Sequence, residues 1–302
     1  MAHKMIGSGK QAASLNNSMR QRPVGAYVGG VTIRDEFDAL FWQLVTSIDG
    51  QLTILGGGNV VLPNLISAST IIVQPSAYTL TSLSLPTLQT CSEYLYVGGL
   101  SLTALNLPAL ATASDIVIEH ITALTSIGLP ELTSANSVLI EDNNDCTSVA
   151  LTKLQTATQI RVRSNADLAS LNLTALAQVT PGGLDIRYGK LTSLSCPALL
   201  SVDGLVVAYL YLLTTMSFPL LTTTGTSGLV LTDCISATPV TFSLPSLVNV
   251  GSANGGYIEI MRNRTVGVNG FTDAAAHALV AQLVGPPAHD PVTNVSIGNN
   301  DQ

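Results

Sequence analysis

The groups from which a catalytic or metal site could be assembled in these 302 residues are few: 19 acids, four cysteines and four histidines. Zinc sites commonly bring two thiolates to one ion from positions two residues apart, and Cys91, Cys146, Cys196 and Cys234 contain no such Cys-x-x-Cys pair. Cys146 and Cys196 fall where equivalent segments carry Leu, so the thiols are expected to be free, buried and to act as small apolar side chains. His120, His277 and His289 have no partner at metal-ligand spacing and are expected on the surface or in a cap. No phosphate-binding loop, nucleophile elbow or Ser-His-Asp arrangement occurs. The expectation is a non-enzymatic protein with no catalytic residue, no metal and no cofactor.

One neighbourhood is chemically richer. Short alternating segments, YLYV from Tyr94, IVIE from Ile116, VLIE from Val138, IRVR from Ile160, LDIR from Leu184 and LVVA from Leu205, read as strands with one buried face. Their outward positions run Val97, Glu119, Glu141, Arg163, Arg187 and Ala208, and the adjacent row runs Gly98, His120, Asp142, Ser164, Tyr188 and Tyr209. Stacked strands would hold Glu119 and Glu141 about 5 Å apart, the separation of a retaining glycosidase pair. Every matched pair in a stack shares that spacing, however, and an open sheet face lacks the cleft and the unequal environments that acid–base work needs. Glu141 is expected to pair with Arg163 in a charged ladder instead. Arg and Tyr are favoured interface anchors, so Glu119, His120, Glu141, Asp142, Arg161, Arg163, Arg187, Tyr188 and Tyr209 form a candidate binding face, widened by Tyr211 and Leu212.

These positions are equivalent because the chain repeats. The phrase Leu-x-x-Leu-x-Leu-Pro-x-Leu recurs as LTSLSLPTL from Leu80, LTALNLPAL from Leu102, LTSIGLPEL from Leu124, LTSLSCPAL from Leu191 and LTTMSFPLL from Leu213. Degenerate copies from Cys146 and Leu168 carry Thr152 and Thr174 at the proline position, and partial copies surround Pro63 and Pro245. Markers at 63, 86, 108, 130, 152, 174, 197, 219 and 245 are spaced almost evenly by 22 residues, the mark of a solenoid. Each coil contributes two strands, and the stacked coils form two parallel sheets about 4.8 Å per step. The outward side chains of the Leu-Thr-Ser-Leu sheet are small and neutral, from Ser82 and Ala104 to Thr215 and Ser217. The mixture breaks the regular Thr grid that ice binding favours.

The raw ends of a stack need caps. Residues 35–50 are expected to form a cap helix with Phe37, Leu40, Phe41, Leu44, Val45 and Ile48 on one face, and its first turn carries Asp35, Glu36 and Asp38. At the other end, 269–302 are expected to form a helix from Thr272 to about Val284 and a last strand. The fold class is therefore mainly β: a parallel β-solenoid of about nine coils over 51–268, helical caps at both ends, and an extended arm over 1–34. Val138-x-Ile140-x-x-Asn143-x-x-Cys146-x-x-Val149-x-Leu151 resembles a leucine-rich repeat of the α/β class, with Asn165, Asn263 and Asn300 at the same asparagine position. With Pro-x-Leu following, it is similar to the receptor-L-like variant of microbial surface and bacteriophage proteins. Gly99, Ile121 and Leu210 replace the asparagine, so no continuous Asn ladder is expected.

Only 10% of residues are charged and the net charge is -7, which disfavours nucleic acid as a partner. The longest strongly apolar run, from Gly204 to Leu213, is about half the ~20 residues that cross a bilayer, so no membrane is expected. Charge is segregated: residues 1–34 hold Lys4, Lys10, Arg20, Arg22 and Arg34 with no acid, and the rest of the chain carries a net -12. The arm has no apolar period and no secretory signal. It reads as an anchor onto other subunits in a homo-oligomer or multicopy assembly. The resemblance implies a structural virion protein assembled in the host cytoplasm, a capsid decoration or fibre-like component whose arm grips capsid or tail subunits. The alternative is a receptor- or glycan-binding module that meets a host-surface ligand through the charged face.

Overall fold

Every coil closes on the coil below it, and the corners show how. A computed structural model of the chain describes residues 22–74, 79–99, 101–234, 241–250, 256–261 and 292–298. In the coil that starts at Thr112, a long strand (Thr112–Glu119) runs along one face, and a short strand (Ser126–Gly128) runs along the other. Eight side chains point between them: Ala113, Ile116, Ile118, Ile121, Leu124, Ile127, Leu129 and Leu132, all buried. Repeating this set coil after coil produces one continuous hydrophobic core.

The proline marker has a local cause. Leu132 N–H donates to the Leu129 carbonyl at 3.2 Å, closing a turn with Pro130 at its second position, and the same bond recurs at Leu88 to Leu85, Leu110 to Leu107 and Leu221 to Phe218. That position wants φ near -65° and has no use for an N–H, which is what proline supplies. Thr152 and Thr174 occupy it in coils whose Leu154-to-Leu151 and Leu176-to-Leu173 bonds persist. Corner amides that the turn does not use bond to the preceding coil. Ala111 N–H reaches the Gln89 carbonyl at 2.9 Å, Thr133 reaches Ala111, Gln155 reaches Thr133, Ala177 reaches Gln155, and Leu200 reaches Ala177. Threonine hydroxyls reinforce the same path, as Thr133 Oγ1 does on the Ala111 carbonyl at 3.1 Å.

The long strands join into a single fourteen-stranded sheet in which each strand pairs in parallel with its counterpart one coil on. The short strands form three separate three-stranded sheets rather than the one expected sheet. One extra residue in the repeat is absorbed on a long strand. Gln178–Arg187 bulges after Val179, with Gly183 at φ +90° so close to the neighbouring coil that a Cβ there would stand 2.5 Å from the Gly204 carbonyl oxygen.

The N-terminal end differs from expectation. Part of the segment read as an arm is already in the stack: β1 (Gly25–Val28) and β2 (Val31–Ile33) pair with β3 (Val45–Ile54). The cap helix is a single short α1 (Glu36–Phe41), started by Asp35, whose carboxylate accepts from Asp38 N–H at 2.9 Å. Val45 and Ile48, expected on its inner face, are buried in β3 instead, whereas Phe37, Leu40 and Leu44 are exposed. β-branched residues and a strand partner on each side win here over a helical spacing that a strand can also satisfy. Trp42 packs edge-on to Tyr27 at 4.8 Å at this end. The C-terminal helix lies outside the described residues, as do Asn263 and Asn300; only the last strand, Val292–Gly298, is described there.

The asparagine position yields a ladder of two rungs. Asn143 and Asn165 are fully buried; Asn143 Oδ1 accepts from Ile121 N–H, Asn165 Oδ1 accepts from Asn143 N–H and Nδ2, and the two amides donate to the Ile118 and Ile140 carbonyls. Asn165→Ala strips partners from a buried N–H and a buried carbonyl, each worth roughly 1–3 kcal/mol. It should lower stability by about 3 kcal/mol in urea unfolding with the β circular-dichroism spectrum unchanged. The four cysteines are buried and form no disulfide. Burial pushes Cys91 up to about 11 and Cys196 and Cys234 up to about 12, from an ordinary 9.0. An unfolded chain ionises these thiols first, so their share of stability is complete below pH 9.0 and is lost as pH rises towards 12. The urea midpoint should therefore fall between pH 9 and 11, and a Cys196→Ala, Cys234→Ala chain should show a shallower fall.

Candidate functional site

The outward side of the large sheet carries the chemistry, and pairing fixes its rows. Glu119, Glu141, Arg163, Arg187, Ala208 and Thr232 are register partners in successive coils. Gly98, not Val97, is the partner of Glu119, because Leu95 and Val97 turn inward and leave Tyr94 and Tyr96 on the surface. A parallel row runs Val117, Leu139, Arg161 and Asp185.

Immediately after each long strand the backbone turns a corner in the left-handed region. His120, Asp142, Ser164, Tyr188, Tyr209 and Asp233 have φ between 52° and 57°, and Gly99 stands in line with them at φ 138°. The turn is held by the next coil, because His120 N–H donates to the Glu141 carbonyl, Asp142 to Arg163, Ser164 to Arg187, Tyr188 to Ala208 and Tyr209 to Thr232. Non-glycine residues enter this region only where the surroundings over-determine it. Here a hydrogen bond per coil does so, and the side chains are presented as a column at the sheet's edge.

Charge and aromatic character are sorted along the solenoid axis. At the N-terminal side, Tyr96 hydrogen-bonds Glu119, and burial together with that carboxylate pushes its phenol up to about 12. Tyr94 stacks on Tyr96 at 6.1 Å and is raised by burial and by the nearby Glu119 and Asp115. His120 lies 3.8 Å from Glu119 and 3.6 Å from Asp142.

In the middle the expected Glu141–Arg163 pair is not the one that forms. Arg163 bonds Asp185 of the following coil through Nη2, and Arg187 holds the same carboxylate through Nε at 2.8 Å and Nη2 at 3.1 Å. Asp185 is almost buried, and its hydrogen bond to Arg163 raises the pKa of that guanidinium further. Two arginines in register one coil apart would repel, so the carboxylate on the diagonal neutralises both at once, whereas Glu141 reaches only one. Asp185 is the member of this charged cluster that sequence reasoning missed. Its signal was present, since it alternates with Leu184 and Ile186 and therefore points outward beside Arg187.

Beyond the arginines Tyr188 and Tyr209 stack face to face, centroids 4.5 Å apart and planes 3° from parallel. Tyr211 and Leu212, about half exposed, extend the aromatic end. Arg161 lies in the Asp185 row, in register with it. The sheet thus brings together Glu119, His120, Glu141, Asp142, Arg161, Arg163, Arg187, Tyr188 and Tyr209 as one strip.

The two arm cations among the described residues, Arg22 and Arg34, do not join that strip. Arg22 is exposed, and Arg34 turns onto its own chain, donating from its backbone N–H at 3.0 Å and from Nη1 at 3.3 Å to Asp38. Lys4, Lys10 and Arg20 lie outside the described residues. Among the described residues no three His, Cys, Asp or Glu side chains are grouped to hold a metal ion. No helix among them is long and apolar enough to cross a membrane. Comparison of the chain with protein-family models, curated proteins and solved structures finds no match.

Asp185→Ala leaves the guanidinium groups of two register partners without their shared anion. It should destabilise the chain by about 2 kcal/mol, and 1 M NaCl should restore part of that loss by screening the arginine pair. Chemical unfolding at low and high salt measures both effects.

Proposed function

We propose that this chain is a non-enzymatic structural protein, a stiff β-column used in multiple copies and fastened to its neighbours at its N-terminal end. The observation that carries the reading is the state of that end. Among the described residues β1 pairs only with β3, so among them one edge of the large sheet has no further strand. Val24 and Val28 are 71% and 79% exposed there, and Phe37, Leu40 and Leu44 are exposed on and beside α1. Phe37, Leu40, Gln43 and Val61 line a cavity of about 230 Å³ on the same end. An exposed apolar edge strand is a liability for a free monomer and an asset for a subunit that another chain covers.

The charge distribution supports the same use. A cationic segment precedes a body of net -12, so the leader of one copy is complementary to the body of another. The likeness of the 22-residue motif to leucine-rich and receptor-L-like repeats favours a virion component, a capsid decoration or fibre-like protein, whose residues 1–34 grip capsid or tail subunits after assembly in the host cytoplasm. Because residues 25–33 belong to the first coil, the anchoring role falls on the residues before β1.

Analytical ultracentrifugation of the purified chain tests the proposal. The full chain should sediment as a multimer at micromolar concentration. Val28→Lys on the β1 edge, or deletion of residues 2–21, which spares β1 and β2, should shift it towards the 31.4 kDa monomer. A full chain that stays monomeric at every concentration and ionic strength would sink the assembly role.

A further inference from the structure

We infer that the Ser164 rung of the corner column is a binding slot for one neutral pyranose ring, stacked on the free face of Tyr188. The column acts as a ruler. Tyr188 and Tyr209 lie 4.5 Å apart and nearly parallel, so side chains at successive corners stack face to face at about the coil spacing. Tyr209 covers one face of Tyr188. The rung on the other side is Ser164, which has the same left-handed backbone, φ 52° against 56°, and so projects the same way. Its side chain is too short to cross a phenol ring. Tyr188 is accordingly 44% exposed, while Tyr209 is only partly so.

The rung beyond Ser164 is Asp142, two coils from Tyr188, or roughly 9–10 Å. Stacked rings prefer centroid separations of about 4.5–7 Å, so one ring fits between Tyr188 and Asp142, and two do not.

The rim chooses the chemistry of that ring. The Ser164 hydroxyl forms the floor, and the Asp142 carboxylate forms the far wall, with one oxygen 3.6 Å from His120 Nε2. Arg187, one residue before Tyr188, spends Nε and Nη2 on Asp185 and keeps Nη1 for another acceptor. A pyranose offers an apolar C–H face to the phenol and a circumference of hydroxyls to the carboxylate, the serine and the guanidinium. An aromatic side chain would satisfy the phenol but turn its electron-rich face towards a carboxylate. One anion and one cation at the rim suit a sugar without a charge of its own. The slot gives the charged strip a ligand and stands independently of the assembly role.

Saturation-transfer NMR on the full chain tests this with methyl β-D-galactopyranoside, methyl β-D-glucopyranoside and methyl α-D-mannopyranoside as probes, and N-acetyl-tyrosinamide as the aromatic control. Saturation should reach the ring C–H protons of at least one pyranoside. Tyr188→Ala, which removes the platform, and Ser164→Tyr, which fills the slot, should each cut that transfer by about fivefold or more. Lys153→Ala, at the proline-turn corner away from the column, should leave it unchanged. Tyr188 and Tyr209 already occupy the same corner conformation, so Ser164→Tyr is expected to fold with an unaltered melting temperature, and it decides the matter even if Tyr188→Ala misfolds. Transfer that reaches no pyranoside, transfer undiminished in Ser164→Tyr, or transfer to N-acetyl-tyrosinamide alone would overturn the proposal.

Discussion

The whole molecule depends on the parallel hydrogen-bonded ladder between neighbouring coils, which forces the chain to come back to the same point at a fixed rise. A buried peptide group that finds no partner costs more than most side-chain contacts return. In this stack the partner is almost always the equivalent group one coil away, at the corners as much as along the strands. Coil length is consequently constrained in a way that sequence is not. The proline turn, the threonine hydroxyls on neighbouring carbonyls and the two buried asparagines are local means to one end, satisfying the backbone where the strands stop. Some extra residues are taken up on the long strand, by bulges.

That constraint explains what was legible in the sequence. The 22-residue period, the parallel β-solenoid and the inward set of Leu, Ile and Val follow from spacing alone, because a stack repeats its core requirement in every coil. Ends are harder, since no repeat averages out an error there. Val45 and Ile48 fit a helical face and a strand equally, and the deciding factor, β1 and the next coil pairing on either side of β3, is a tertiary one. The Val97 placement failed for a related reason: a bulge between Cys91 and Tyr94 moves the register by one residue, and one residue in a strand reverses the face.

The outward strip was readable as a set of residues and misread as a set of pairs. Glu141 and Arg163 share a row, which made them partners by spacing. Guanidinium reach and desolvation favour the diagonal instead, where Asp185 serves two arginines from a site that is nearly buried. Like charges brought into line by a repeat need a counter-ion between rows, a requirement visible only once the register is known. The left-handed corners were invisible to composition, since His, Asp, Ser and Tyr have little in common except their place.

The corner column has an implication for how such a surface changes over time. The conformation of each corner is held by the coil ahead, while the side chains at His120, Asp142 and Tyr188 face solvent, so the identity of those residues is nearly decoupled from whether the chain folds. Mutational drift there rewrites surface chemistry one station at a time, on a pitch that the interior keeps constant. A lineage carrying this scaffold can therefore trade an imidazole for a carboxylate or a phenol at a known distance from its neighbours, and so retune what it touches without renegotiating its core.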